Sequence, residues 1–171
     1  MTVEDRSNID KILKTLEKLS STAVRIGILS KSGGEILLIA NVNEYGCNIP
    51  VTNKMRGFFR YEFGINISKN TKVIKIPERS FVRSSFDENQ KKIEGYGELL
   101  EAVIDSKISV DNFYQIIGNA CVNLIKDYIK GGSFEPNSPV TLNHKRPKTK
   151  PLIDTGRLIN SIDFEVIYVW F

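Results

Sequence analysis

Apolar residues recur at Ile9, Ile12, Leu13, Leu16 and Leu19, a spacing that lays one apolar stripe along a helix over residues 7–19. Ser7 stands where an N-cap belongs, Asp10 where a capping-box acid helps, and Ser20-Ser21 ends the run. The period then shortens to two. Over residues 23–29, Val24, Ile26 and Ile28 alternate with Arg25 and Gly27, the mark of a strand. After a turn at residues 30–34, residues 35–44 carry Ile36, Ile39 and Ala40 at helical spacing. Leu37, Leu38 and Val42 extend the apolar run, so a buried strand fits the same stretch. Gly46 supplies its stop.

Residues 47–75 read two ways. Phe59, Tyr61 and Phe63 alternate as in a strand, while Met55, Phe58, Phe59 and Phe63 fit one helix face equally well. We read this segment as a hairpin or two-stranded arm, with a turn at Ser68-Lys69-Asn70 and Pro77 closing it. Residues 81–106 are helical, broken near Gly95-Tyr96-Gly97. Ser109 opens a helix with Phe113, Ile116, Ile117, Ala120, Leu124 and Tyr128 on its apolar side, ended by Gly131-Gly132. Residues 133–151 hold four of the chain's six prolines and form an extended loop. A short helix over 154–161 precedes a strand over 162–170, in which Ile162, Phe164, Val166, Tyr168 and Trp170 share a face.

Helices and strands do not alternate in βαβ order. The pattern therefore predicts an α+β fold with a small, mainly antiparallel sheet packed by helices, the helix over 109–130 being the best cover. The 171 residues fit one domain over residues 1–171, with a projecting arm at 47–75 and a basic loop at 136–151.

Composition adds little: 41% hydrophobic and 26% charged residues are ordinary for a globular chain. Charge adds more. The net charge is +4, and His144 to Lys150 contains Lys145, Arg146, Lys148 and Lys150 with no acid; without these four, 20 basic residues face 20 acidic ones. The excess thus reads as one basic loop on a neutral body, suited to phosphates or an acidic partner. No run reaches membrane-spanning length, and the N-terminal stretch is charged and periodic, unlike a signal peptide. A cytoplasmic site of synthesis, with Cys47 and Cys121 as free thiols, is the expectation.

Candidate chemistry is sparse. The single histidine, His144, lies between Asn143 and Lys145 with no acid nearby to orient it. Cys47, Cys121 and His144 have no metal-ligand spacing. Ser30-Lys31-Ser32-Gly33-Gly34 lacks the order of a phosphate-cradling loop. Asp163 and Glu165 share a strand face, a weak basis for a metal-dependent nuclease. No catalytic, cofactor or metal residue is assigned.

Several motifs in order carry a resemblance. They are Val24-Arg25-Ile26-Gly27-Ile28, Asn43-Glu44-Tyr45-Gly46 and Ile76-Pro77-Glu78-Arg79-Ser80-Phe81-Val82-Arg83. Thr141 and Lys145 follow at T-x-x-x-K spacing, and then Leu152-Ile153-Asp154-Thr155-Gly156-Arg157-Leu158. Together they resemble the neck, tail-completion and virion-morphogenesis proteins of tailed bacteriophages. The resemblance implies a non-enzymatic virion protein at the head–tail junction, assembled in the host cytoplasm. It implies a ring of roughly six or twelve copies, with the connector or adaptor and a tail terminator or tail-tube protein as neighbours and DNA passing through the lumen. Under it, Asp154, Thr155, Gly156, Arg157, Leu158, Arg79 and Arg83 are interface candidates, Asp154 as an N-cap and Arg157 as a pairing residue. Lys145, Arg146, Lys148 and Lys150 are candidates for contact with DNA or an acidic partner. A tail terminator and a small DNA-binding module acting through the basic loop are the alternatives. Residues 47–76 exceed what the shortest family members need; the arm is placed there, either reaching a neighbouring subunit or folded onto its own domain.

Overall fold

The computed structural model describes residues 8–138 and 150–169. Helix α1 (Ile9–Ser20) leads into strand β1 (Thr22–Ile28), and a 3-10 turn at Ser30–Ser32 precedes α2 (Gly34–Tyr45). Next come β2 (Cys47–Pro50), α3 (Asn53–Phe63) and β3 (Val73–Ile76). Helix α4 (Arg83–Gly95), a 3-10 turn at Tyr96–Glu98, α5 (Leu99–Ile104) and the long α6 (Val110–Gly131) follow, then α7 (Arg157–Asn160) and β4 (Ile162–Tyr168). The fold is α+β, built of helices and two small antiparallel sheets.

The first sheet joins the two ends of the described chain. β1 and β4 pair from Thr22↔Tyr168 through Val24↔Val166 to Ile28↔Ile162. Their apolar faces need a cover, and α6 provides it. Ser109 caps α6 as the pattern predicts, its hydroxyl accepting from the Asn112 amide at 3.1 Å. The covering face differs from the expected one. Val122, Ile125 and Ile129 join Ile36, Phe81, Leu158 and Ile162 in the main core, and Phe113 joins Val103 and Val110 in a second cluster. Ile116 is exposed instead. Apolar residues cover so much of α6 that its periodicity allows more than one face, and contact with the sheet makes the choice.

Gly118 shows how close that contact is. A β-carbon there would lie far inside van der Waals distance of the Phe164 ring, which packs on the bare helix backbone. The sheet therefore sits nearer α6 than any side chain at this position would allow.

The segment over 47–75 corrects the sequence reading in part. β2 and β3 do pair, from Cys47↔Ile76 to Pro50↔Val73. The aromatic stretch between them is not strand, however, but α3. Thr52 caps it, accepting from the Met55 amide at 3.2 Å. Gly64 closes it in the left-handed region at φ 66°, with the Gly64 and Ile65 amides donating back to Arg60 and Phe59. Arg56 locks the returning chain through its guanidinium, which donates to the carbonyls of Ile67, Ser68 and Thr71. The arm is thus a hairpin base carrying a capped helix.

Gly118→Ala tests the packing at that contact. Helix propensity favours alanine by about 1 kcal/mol, whereas overpacking against Phe164 costs about 1–3 kcal/mol. Urea denaturation should show a net loss of up to about 2 kcal/mol; a gain would mean that the ring moves aside freely.

Candidate functional site

Glu44 lies in the last turn of α2, where a carboxylate opposes the helix dipole. It is also only 6% exposed. Both costs are offset by what it faces. Its Oε2 accepts from the amides of Phe81 and Val82 at 2.8 and 3.0 Å. Its Oε1 accepts from the Ser80 hydroxyl and the Arg83 amide, each at 3.0 Å, and from Arg83 Nε at 3.1 Å. These donors surround the start of α4, whose own N-cap, Val82, has no side-chain acceptor. Burial pushes the Glu44 pKa up, but the Val82 and Arg83 amides, the Ser80 hydroxyl and the Arg83 guanidinium outweigh it. They hold the carboxyl below its ordinary value near 4.5.

The capping is reciprocal. The Arg79 amide donates to the Asn43 carbonyl at 2.7 Å, and Arg83 Nη2 donates to the Glu44 carbonyl at 2.8 Å, which satisfies the C-terminal end of α2. Gly46 makes the approach possible. At φ 70° it turns the chain out of α2, and a β-carbon there would meet Glu78 N and Ile76 O at 3.0 Å. Arg83 also pairs with Glu78 at 2.8 Å and lies 4.6 Å above the centroid of the Tyr45 ring. The two motifs over 43–46 and 76–83 are therefore two halves of one interlocked structure.

Arg79 is buried within it. Its Nε donates to the Glu135 carbonyl at 2.8 Å and its Nη2 to the Pro136 carbonyl at 3.0 Å, fastening the chain after α6 to the end of α2. Desolvation lowers its pKa without approaching the range where arginine loses its proton.

Beside the interlock, a cleft of about 840 Å³ separates the arm from the body. Ile49, Ile74, Met55 and Phe59 form the arm's wall, and Ile36 and Ile39 part of the body's. Arg79, Asp154, Thr155, Gly156, Arg157 and Leu158 also line this cleft, so it brings together every interface candidate except Arg83. Their individual roles differ from the expected ones. Asp154 is not the N-cap of α7: Gly156 holds that position at φ 83°, two residues later. Arg157 pairs within its own chain, its two Nη atoms donating to the Glu35 carboxylate at 3.2 and 2.9 Å. Leu158 is a core residue. Of the basic loop, Lys145, Arg146 and Lys148, together with His144 and the Thr141–Lys145 spacing, lie outside the described residues. Lys150 Nζ donates to the Lys130 carbonyl.

The strand carboxylates are neutralised separately, Asp163 by Lys31 at 2.5 Å and Glu165 by Arg25 at 2.8 Å. They do not converge on a common point. Cys121 is buried, which raises its pKa, and both cysteines are free thiols. Among the described residues, no group of three or more histidine, cysteine, aspartate or glutamate side chains is placed to hold a metal ion. None of the described helices is long and apolar enough to cross a membrane.

Sequence reasoning held Glu44 only as a member of the Asn43-Glu44-Tyr45-Gly46 motif and gave it no role. The available signal was its position, an acid in the last turn of α2 against the dipole, which requires a donor-rich partner elsewhere.

Glu44→Ala strands several of these donors and should cost about 3 kcal/mol in urea denaturation; Glu44→Gln, still an acceptor, should cost less. The folded carboxyl has the lower pKa, so its contribution is complete above the ordinary value near 4.5 and is lost as pH falls through the folded value. The wild-type chain should therefore lose stability more steeply than Glu44→Gln as pH falls below the ordinary carboxylate value near 4.5. Parallel curves would show that Glu44 is not a charged cap. Arg157→Ala removes only an exposed ion pair and should cost less than about 1 kcal/mol.

Comparison with protein-family models, with characterised proteins and with solved structures returns no match.

Proposed function

We propose that this chain is a structural protein of a tailed-bacteriophage particle, acting at the head–tail junction as one subunit of a ring between connector and tail. The observation that carries the assembly half of this reading is α1. Its apolar stripe is sharply defined, yet none of its residues is buried: Ile9, Leu13 and Leu16 are 59%, 57% and 45% exposed. A helix with an unburied apolar stripe is suited to a partner surface. It is anchored firmly enough to present that stripe. Tyr114 Oη donates to the Leu19 carbonyl at 2.8 Å and Thr22 Oγ1 to the Lys18 carbonyl at 2.7 Å, holding its C-terminal end.

The virion half rests on the order of motifs, and the interlock of residues 43–46 with 76–83 supports treating two of them as a single structural unit. Among the described residues each two-stranded sheet also leaves strand edges without a β-strand partner, which suits addition of a neighbour's strand. The absence of a converging catalytic group among the described residues is compatible with a structural role but does not carry it. Close packing of identical subunits head to tail closes into a ring when the rotation between them permits.

Light scattering after size exclusion should give a mass several times that of one chain, and Leu13→Glu with Leu16→Glu should reduce it to that of one chain while circular dichroism stays unchanged. A monomeric wild-type chain would sink the ring. For the location, electron microscopy of particles made without the gene should show full heads beside unattached tails. Tails of abnormal length would favour a tail terminator, and normal infectious particles would exclude both.

A further inference from the structure

The body that balances 20 basic against 20 acidic residues is not evenly charged. Residues 47–76 hold six cations, Lys54, Arg56, Arg60, Lys69, Lys72 and Lys75, against one carboxylate, Glu62. Elsewhere in the chain cations are commonly paired, as in Lys18–Asp111, Arg25–Glu165, Lys31–Asp163 and Arg157–Glu35. On the arm the five apart from Arg56 are exposed, and none of the five forms an ion pair among the described residues. Arg56 donates only to neutral carbonyls, which leave its charge uncompensated.

Aromatic rings lie among these charges. Lys54, Phe58 and Tyr61 follow one another at i, i+4 and i+7, on one face of α3. Phe58 is 53% and Tyr61 88% exposed. Phe58 packs edge-on against Phe59 and Phe63, with ring centroids 6.0 and 5.7 Å away. The more apolar side of α3, Met55 and Phe59, is turned into the cleft. What remains outward is a face carrying the two rings with Lys54 beside them and Glu62 at i+4 from Phe58, while Arg60 projects from another side of the same helix. A membrane-surface helix needs a continuous apolar face turned outward, which α3 does not have. Phosphates and flat, π-faced bases match what it does have.

We infer that the arm is a nucleic-acid contact surface: its unpaired cations hold the phosphate backbone, and Phe58 and Tyr61 pack against sugars and accessible bases. This inference stands apart from the ring, since it concerns a different face. It also places the contact on a different segment from the basic loop around Lys145.

The test is fluorescence anisotropy of the full chain with labelled single-stranded and duplex oligonucleotides. With about five phosphates neutralised, affinity should fall roughly 500-fold for the duplex and roughly 130-fold for the single strand between about 50 and about 200 mM salt. Lys54→Glu with Arg60→Glu and Lys69→Glu should weaken binding at least about ten-fold, with unchanged circular dichroism and oligomeric mass. Phe58→Ala with Tyr61→Ala should weaken single-strand binding more than duplex binding, since only unpaired bases offer free faces. Three results would overturn the inference. The first is no binding to either nucleic acid, and the second is binding unaffected by the arm reversal but lost on changing Lys145, Arg146 and Lys148 to glutamine. The third is capture of phosphatidylserine vesicles without any capture of oligonucleotide.

Discussion

The architecture turns on one carboxylate. Glu44 closes the start of α4 from the end of α2, and the segment it binds closes α2 in return. Neither helix end has a satisfactory local solution: α2 ends in an acid, and α4 starts at Val82 with no capping side chain. Joined, each supplies what the other lacks, and the dipoles of the two termini favour the contact. The position of the arm follows from this. β3 runs directly into the bound segment, and Gly46 carries the chain from α2 straight to β2. The orientation of the hairpin base is therefore set where Glu44 meets residues 80–83. Arg79 extends the same constraint to the chain after α6.

Around this point apolar surface is divided unequally. Residues from α2, α6, α7 and β4 share one core, into which Phe81 reaches almost completely buried. By contrast α1 and α3 contribute no fully buried residue. Burial of a large apolar side chain is worth roughly 1.5–3 kcal/mol, so a helix that forgoes it contributes little to its own domain. The two peripheral helices differ in what they expose. The stripe of α1 is aliphatic and suits a protein neighbour, whereas α3 exposes two rings with Lys54 beside them. That contrast supports assigning them different partners.

Much of this was legible along the chain, because many signals are local. The alternation that predicts strands from 23 and from 162, found as Thr22–Ile28 and Ile162–Tyr168 with Trp170 outside the described residues, the serine cap at Ser109 and the glycine stops at Gly46 and Gly131 depend on near neighbours. The misreading of residues 53–63 had a local remedy as well, since Thr52 and Gly64 bracket a helix by ordinary capping chemistry. The buried face of α6 had no such remedy. Its apolar residues wrap too far around the helix for periodicity to choose, and the bare backbone of Gly118 against Phe164 chooses instead.

The site divides the same way. The sequence by itself determined the fold class, most of the elements and the membership of the motifs, because backbone propensity, period and caps act over a few residues. It also contained the arm's charge excess, which a count over residues 47–76 reveals but a whole-chain sum conceals. Only the tertiary structure decided that Glu44 is a cap across 36 residues or more, that Arg79 is buried, that Arg157 pairs with Glu35, and that residues 154–158 face the arm across a cleft. Those facts depend on which donors and acceptors meet in space. A carboxylate far along the chain carries no local mark of the amides it will bind.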